Sequence, residues 1–233
     1  MEANLNDQLV FIEGTAAPSA IVAVIQNTGR DAILRGSGSS NSKAWGTSCR
    51  EHLRSDRSNG LDTAGAAVCI LETHSPKALD KVRGLVRMVQ VSPSMTVVDL
   101  TVRGLSPGKY FATIRETGDI SRGAISTGGV WDAISAETER KATPKGVFGT
   151  VEVGSSGIGT VFLDRPIQIW EMIGRGMVVS KQQDGKFQQD DPDTLVGVIA
   201  RSAGVWDNEK TVCSCSGKTV WEERKDQVKK GML

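Results

Sequence analysis

From residue 66 onward, apolar and polar positions alternate in short runs rich in β-branched residues. The runs Ala67-Val-Cys-Ile-Leu-Glu72, 82–91, 96–102, 110–115, 159–163, 177–180 and 195–200 each read as a strand. Ser92-Pro-Ser and Leu105-Ser-Pro-Gly108 separate them as turns. Only 167–173 competes as a helical turn. This spacing predicts an antiparallel sandwich or barrel, an all-β domain of about 140 residues with Greek-key connections.

The chain before residue 39 follows another rhythm. Gln8-Leu-Val-Phe-Ile-Glu13 reads as a strand, and Asp31-Ala-Ile-Leu-Arg35 as a second. Between them, 17–29 has Pro18 near its start, apolar residues at Ile21, Val24 and Ile25, and a closing Gly29, the signature of a helix. One helix and two strands are too little to bury a core alone, so the segment reads as half of a larger unit. Gly36-Ser-Gly-Ser-Ser-Asn-Ser42 has linker composition, and the polar 48–60 stretch after it has no sustained period. It reads as an exposed, mobile connection. At the other end, 205–233 closes on a charged, frayed tail. The expected division is therefore 1–38, 39–65, 66–203 and 204–233.

Composition narrows the function classes. With 28 basic and 27 acidic residues among 233, the net charge is +1, which offers no basic face for nucleic acid. No apolar run reaches the length of a membrane span, and the N-terminus lacks the basic start and apolar stretch of a secretory signal. Aromatic residues make up only 5%, so the core should be built from Val, Ile and Leu. A soluble, cytoplasmic protein is expected.

The four cysteines are Cys49, Cys69, Cys213 and Cys215. They are too few to staple a chain of this size. Cys69 falls in a strand and reads as a small buried apolar residue. Cys213 and Cys215 are one residue apart, an awkward spacing for an unstrained disulfide but a suitable one for a soft, low-coordinate cation such as Cu(I). Two thiolates do not complete a tetrahedral zinc site, and His52 and His74 lie far off in sequence. Accessible thiolates also exchange with a partner's thiols or disulfide, and flanking Lys210 and Lys218 should favour the thiolate form. On spacing alone, two incidental loop thiols explain the pair equally well.

The surrounding block is more specific. Gly197-Val-Ile-Ala-Arg-Ser-Ala-Gly-Val-Trp206, followed by Val212-Cys-Ser-Cys-Ser-Gly-Lys-Thr-Val-Trp-Glu-Glu-Arg-Lys-Asp226, resembles the C-terminal third of the copper chaperones for Cu,Zn superoxide dismutase. The resemblance runs back through 173–179, Gly118-Asp119 and the first strand of the β region. It implies a Greek-key barrel of the dismutase type, preceded by a partial ferredoxin-like, heavy-metal-associated domain. It also implies that Cys213 and Cys215 carry Cu(I) and exchange disulfides with the enzyme, with zinc not expected. The implied partner is Cu,Zn superoxide dismutase in a heterodimer, a homodimer being the other arrangement. Besides the cytoplasm, the resemblance admits the mitochondrial intermembrane space.

The departures matter as much. The resemblance sets Thr113, Arg115, Val130 and Ser180 where the enzyme has copper histidines, so dismutase activity is not expected. The positions of the enzyme's internal disulfide read Ala124 and Val196. The matching interface pieces are Gly118, Asp119, Arg122 and Gly123 on a loop, and Gly197, Ile199, Arg201 and Ser202 on the last strand, with Trp206 beyond. Val198 and Ile199 are equally explained as barrel core. Trp206 and Trp221 would anchor the tail on the barrel or on the partner. The family's Met-x-Cys-x-x-Cys loop has no counterpart before position 49. An upstream start codon or a truncated form accounts for this, and a chain without that loop should dock yet load copper poorly. Residues 39–65 read as a retained intron or a lineage-specific linker. The competing function is a metal-free, dismutase-like structural or regulatory partner that dimerises and delivers nothing.

Overall fold

The computed structural model describes residues 2–4, 9–12, 16–33, 65–76, 78, 80–92, 94–132, 144–182, 185–188, 190–202, 218–219, 222, 225–226 and 229. At the N-terminus, β1 (Glu2–Asn4) and β2 (Leu9–Phe11) form a two-stranded antiparallel ribbon, followed by α1 (Pro18–Asn27). Proline at the first helical position pre-sets the backbone of α1 without sacrificing a helical hydrogen bond. Residues 31–33 are irregular rather than the start of a strand. The rest of that expected strand lies outside the described residues.

The β region is one antiparallel sheet curled into a nearly closed barrel. Its strands are β3 (Ala66–Thr73), β4 (Val82–Ser92), β5 (Met95–Val102), β6 (Gly108–Ile114), β8 (Val147–Val153), β9 (Gly159–Arg165), β10 (Gly176–Ser180) and β11 (Leu195–Ser202). They lie in the order β8-β6-β10-β11-β3-β4-β5-β9, so β3, β4 and β5 form a meander and the chain then crosses over to β6. The two outer strands face each other, and Arg165 of β9 donates to the carbonyl of Phe148 on β8, fastening the seam. A short β7 (Ser121–Ala124) and the helical turn α2 (Ile169–Met172) complete the order. The strands expected of this region are present, as is the helical turn within 167–173, but a second turn of 3-10 helix, Ile125–Thr127, was not expected. Sequence reading missed β7 and β8: β7 is only four residues long, and Gly149 interrupts the apolar run of β8.

Alternation on each strand sends one set of side chains inside. Leu71, Val86, Leu100, Tyr110, Phe148 and Ile199 are essentially inaccessible, and each contributes about 1.5–3 kcal/mol by leaving water. Cys69 belongs to the same core, and burial pushes its thiol up to about 12, which makes it an apolar filler rather than a nucleophile. A second, smaller cluster lies on the outside of the barrel. There Ala124, Val178 and Val196 pack together with half-buried Ile120 and Phe187. Val178 is the register partner of both Thr113 and Val196, so these side chains share one outer face beneath the long loops.

Candidate functional site

The loop carrying Gly118, Asp119, Arg122 and Gly123 is shaped by its own hydrogen bonds. The Ser121 amide donates to Asp119 Oδ1 at 2.9 Å, closing a turn. Ser126 is the hub. Its hydroxyl bonds the carbonyls of Asp119 and Gly123 at 2.9 and 3.0 Å and receives the Arg122 amide at 3.1 Å. Hydrogen bonds from the Ser121 amide and hydroxyl hold the exposed Asp119 carboxyl below its usual pKa, so it stays charged in mild acid. Ile120 and Ala124 anchor the loop from below on Val178 and Val196.

Two glycines fit this loop and the last strand to the barrel. A Cβ on Gly118 would stand 2.3 Å from the carbonyl oxygen of Gly174 and 3.3 Å from Val198. A Cβ on Gly197 would stand 2.0 Å from the carbonyl oxygen of Ile70. Loop, β11 and the 173–175 corner are thus in backbone contact, with the Gly174 amide donating to Ile199 and the Ile199 amide to Arg175, both at 2.9 Å.

Not every residue expected at an interface reaches the surface. Ile199 is wholly buried in the barrel core and pairs with Cys69, so its side chain presents nothing outside. The alternation that puts Ile199 inside puts Val198 and Ala200 outside. Gly197 and Gly123 are buried, the latter against the ring of His74. Asp119, Arg122 and Arg201 are exposed, and Gly118 and Ser202 are half-buried. Sequence reading missed Ile70. It is 52% exposed on β3, opposite Val198 in the register that pairs Val196 with Glu72 and Ile199 with Cys69. An apolar residue at an outward position of an alternating strand was the available signal. Trp206, Cys213 and Cys215 lie outside the described residues, as do Cys49, His52, Lys210, Trp221 and 39–64.

The positions set at copper ligands do converge. Arg115 is bridged to Val130, and Thr113 lies beside Val178, two residues before Ser180. Most of their polar atoms are paired within the protein, Arg115 Nε being a buried exception. Ser180 and Thr194 share a hydrogen bond at 3.1 Å, and Thr194 donates onward to Asp191 at 2.7 Å. Arg115 is 3% exposed. It donates from Nη2 to the Gly128 carbonyl at 2.5 Å and lies over the Phe187 ring at 5.1 Å. Gly185 leaves room for it, since a Cβ there would come within 3.1 Å of Nη2. Burial lowers the pKa of this guanidinium, and Glu116 opposes the shift. A fixed cation at this position repels a metal ion. No group of three or more His, Cys, Asp and Glu suited to a metal occurs among the described residues. Ala124 and Val196, set at the disulfide positions, meet in the small outer cluster as apolar contacts.

Beyond the cysteine pair, Thr219 and Glu222 cap each other. The Thr219 amide donates to Glu222 Oε2 at 2.8 Å, and the Glu222 amide to Thr219 Oγ1 at 3.2 Å. Glu222, Lys225, Asp226 and Lys229, the described residues of this stretch, are helical. Lys218, expected to favour thiolates, is paired with Asp226.

Comparison with known proteins gives a consistent set of likenesses. The sequence profile of copper/zinc superoxide dismutase (SODC) matches residues 82–203. A superoxide dismutase 1 copper chaperone of Debaryomyces hansenii is 42% identical over 238 residues, covering 98% of this chain and 84% of that protein. The protein of the same name from Saccharomyces cerevisiae is 38% identical over 237 residues, covering 97% and 82%. A copper chaperone for superoxide dismutase of Rattus norvegicus is 31% identical over 241 residues, covering 96% and 78%. No described helix is long and apolar enough to cross a membrane.

Proposed function

The chain belongs to the family of superoxide dismutase copper chaperones, and from that premise we propose that it docks on Cu,Zn superoxide dismutase and delivers Cu(I) through Cys213 and Cys215. The barrel of 66–203 is the docking module and 204–233 the transfer tail. The single observation that carries the reading is the exposed, backbone-fitted face formed by the 118–123 loop and β11, lying outside a barrel whose own ligand positions hold Arg115 and hydroxyl groups. Such a barrel has no use for copper itself. It retains a surface by which an enzyme of the same fold is recognised.

On that face Ile70, Val198 and Ala200 supply apolar contact, and Asp119, Arg122 and Arg201 supply the charged rim. The partner is a dismutase subunit in a heterodimer. Cu(I) is cargo: two thiolates hold it in low coordination and pass it to the client by stepwise ligand exchange, without change of oxidation state. The same pair supports disulfide transfer. With Cys213 and Cys215 oxidised, a client thiolate attacks one sulfur, forms a mixed disulfide and releases the other as thiolate. A second client thiolate then displaces the tail, leaving an oxidised client and a reduced pair. The one-residue spacing strains the starting disulfide and favours this direction.

Changing both Cys213 and Cys215 to Ser tests the assignment. Cu(I) titration should lose the site contributed by the pair, and the disulfide-linked adduct with immature enzyme should disappear. Non-covalent docking, read by sedimentation or light scattering, should persist. If the double variant matures the enzyme as well as the parent, the chain is a metal-free docking partner and the delivery reading fails.

A further inference from the structure

Helix α1 has no cap of its own. Ala17 stands at its N-cap with no side-chain hydrogen bond, and its first turn contains no acidic residue. Uncapped first-turn amides are a recognised weakness in a short helix. The missing acceptor comes from the barrel, 80 residues away in sequence. Asp99 Oδ2 accepts from the Ser19 amide at 3.0 Å, and Asp99 Oδ1 accepts from the Ser19 hydroxyl at 2.7 Å.

Asp99 is unusual within β5. It lies between core residues Val98 and Leu100, so its side chain points outward, yet it is 2% exposed. Its register partners are Arg87 on β4 and Phe162 on β9. Arg87 Nη1 stands 3.8 Å from the carboxylate, a loose ion pair that leaves both oxygens to Ser19. A carboxylate in such a place needs hydrogen-bond donors, and among the described residues the N-terminus of α1 supplies two. Along the helix, Pro18, Ile21, Val22 and Ile25 share one half-buried side, and Val24 is exposed on another.

We propose that the outer face of β4 and β5 around Asp99 is a berth for α1, with the barrel carboxylate acting as the helix's cap and holding the N-terminal segment on this flank. In the strand order, β5 is three places from β11, roughly 14 Å at ordinary strand spacing. The berth therefore holds the segment without covering the 118–123 loop and β11. It also makes the helicity of α1 conditional on the barrel. Anything that competes for Asp99 releases the N-terminal segment and unwinds its first turn.

The test is amide hydrogen exchange on the full chain, comparing the parent with Ser19→Asp, Ser19→Ala and Asp99→Asn. Ser19→Asp separates the two ways of stabilising α1. A self-standing helix gains from an acid in its first turn, whereas a berthed one loses, because the new carboxylate faces Asp99. In Ser19→Asp, α1 amides should exchange about tenfold faster, with β3 and β11 amides unchanged. Ser19→Ala should give a smaller change in the same direction. Unchanged or slower exchange of α1 in Ser19→Asp would overturn the proposal. If Asp99→Asn unfolds the barrel, the two Ser19 variants decide the matter alone, since neither removes a barrel side chain.

Discussion

Two regions on the outside of this barrel are held in place in opposite ways. The face made by the 118–123 loop and β11 is fixed by backbone meeting backbone, with glycines where no Cβ fits. The pocket beneath the long loops, a few residues away, is held by side-chain contacts: Arg115 with the Gly128 carbonyl and the Phe187 ring, Ser180 with Thr194. The first is specified by shape and tolerates almost nothing at its glycines. The second is specified by how side chains fill the volume: Arg115 Nη2 is paired while its buried Nε finds no partner among the described residues, so another set that fills the space would serve. On the proposed reading, docking depends on the first region and not on the second.

The largest effect should come from breaking the shape-specified region. Gly197→Val places a branched side chain where even a Cβ stands 2.0 Å from the Ile70 carbonyl oxygen. No rotamer relieves a clash with backbone, so β11 must part from β3. A loss of at least about 3 kcal/mol is expected in denaturant unfolding. Stability within 1 kcal/mol of the parent would show that the strand contact is slack and that shape does not specify this face.

The pocket should yield by less. Arg115→Ala empties a buried volume and leaves the Gly128 carbonyl without its donor, for about 2–3 kcal/mol. Arg115→Met refills the space without a charge to desolvate and should recover about half of that. Both variants, below their melting temperatures, should bind immature dismutase about as the parent does. If Arg115→Ala abolishes binding while the barrel is folded, the two regions are one and the contrast fails.

A smaller effect separates recognition from folding. Ile70 is half exposed and belongs to neither buried apolar cluster. Ile70→Asp should leave stability within about 0.5 kcal/mol and weaken docking roughly tenfold by placing a charge in an apolar contact. Unchanged affinity, measured by titration against the apo enzyme, would move the docking face elsewhere.

These residues also show what the sequence could and could not disclose. Strands announced themselves wherever alternation was strong, because the barrel core demands it: β3, β5 and β11 are read directly. β8 was hidden by Gly149 in its middle, and β7 by its brevity. Arg115 was legible as a lost ligand, but its role as a buried plug was not, since its partners, Gly128 and Phe187, come from distant loops whose approach no local pattern encodes. Ile199 was drawn toward the interface by its motif. Strand parity decides otherwise, and one position in either direction exchanges core for surface. The trans cap on α1 was invisible for the same reason as the plug: Ser19 and Asp99 meet only through the fold.

The smallest effect is a pH dependence at the root of β11. Asp193 Oδ1 accepts the Ser106 amide at 3.0 Å, and its other oxygen accepts the Ser106 hydroxyl and stands 3.3 Å from Lys181 Nζ. Burial alone would raise this carboxyl, but the hydrogen bonds from Ser106 and Lys181 outweigh it, and the net shift is downward. A lowered carboxyl stabilises the fold at every pH above its unfolded value near 4. That contribution is lost as acid takes the pH down through the folded value. Because the group is partly open to solvent, the amount is about 0.5 kcal/mol. Asp193→Asn should therefore lower stability slightly at neutral pH and flatten the acid limb below about pH 4. Docking should be unaffected, because the clamp lies at the start of β11 rather than at Val198 and Ala200. An acid limb as steep in Asp193→Asn as in the parent would mean that another carboxylate governs it and that the register of β11 does not depend on this clamp.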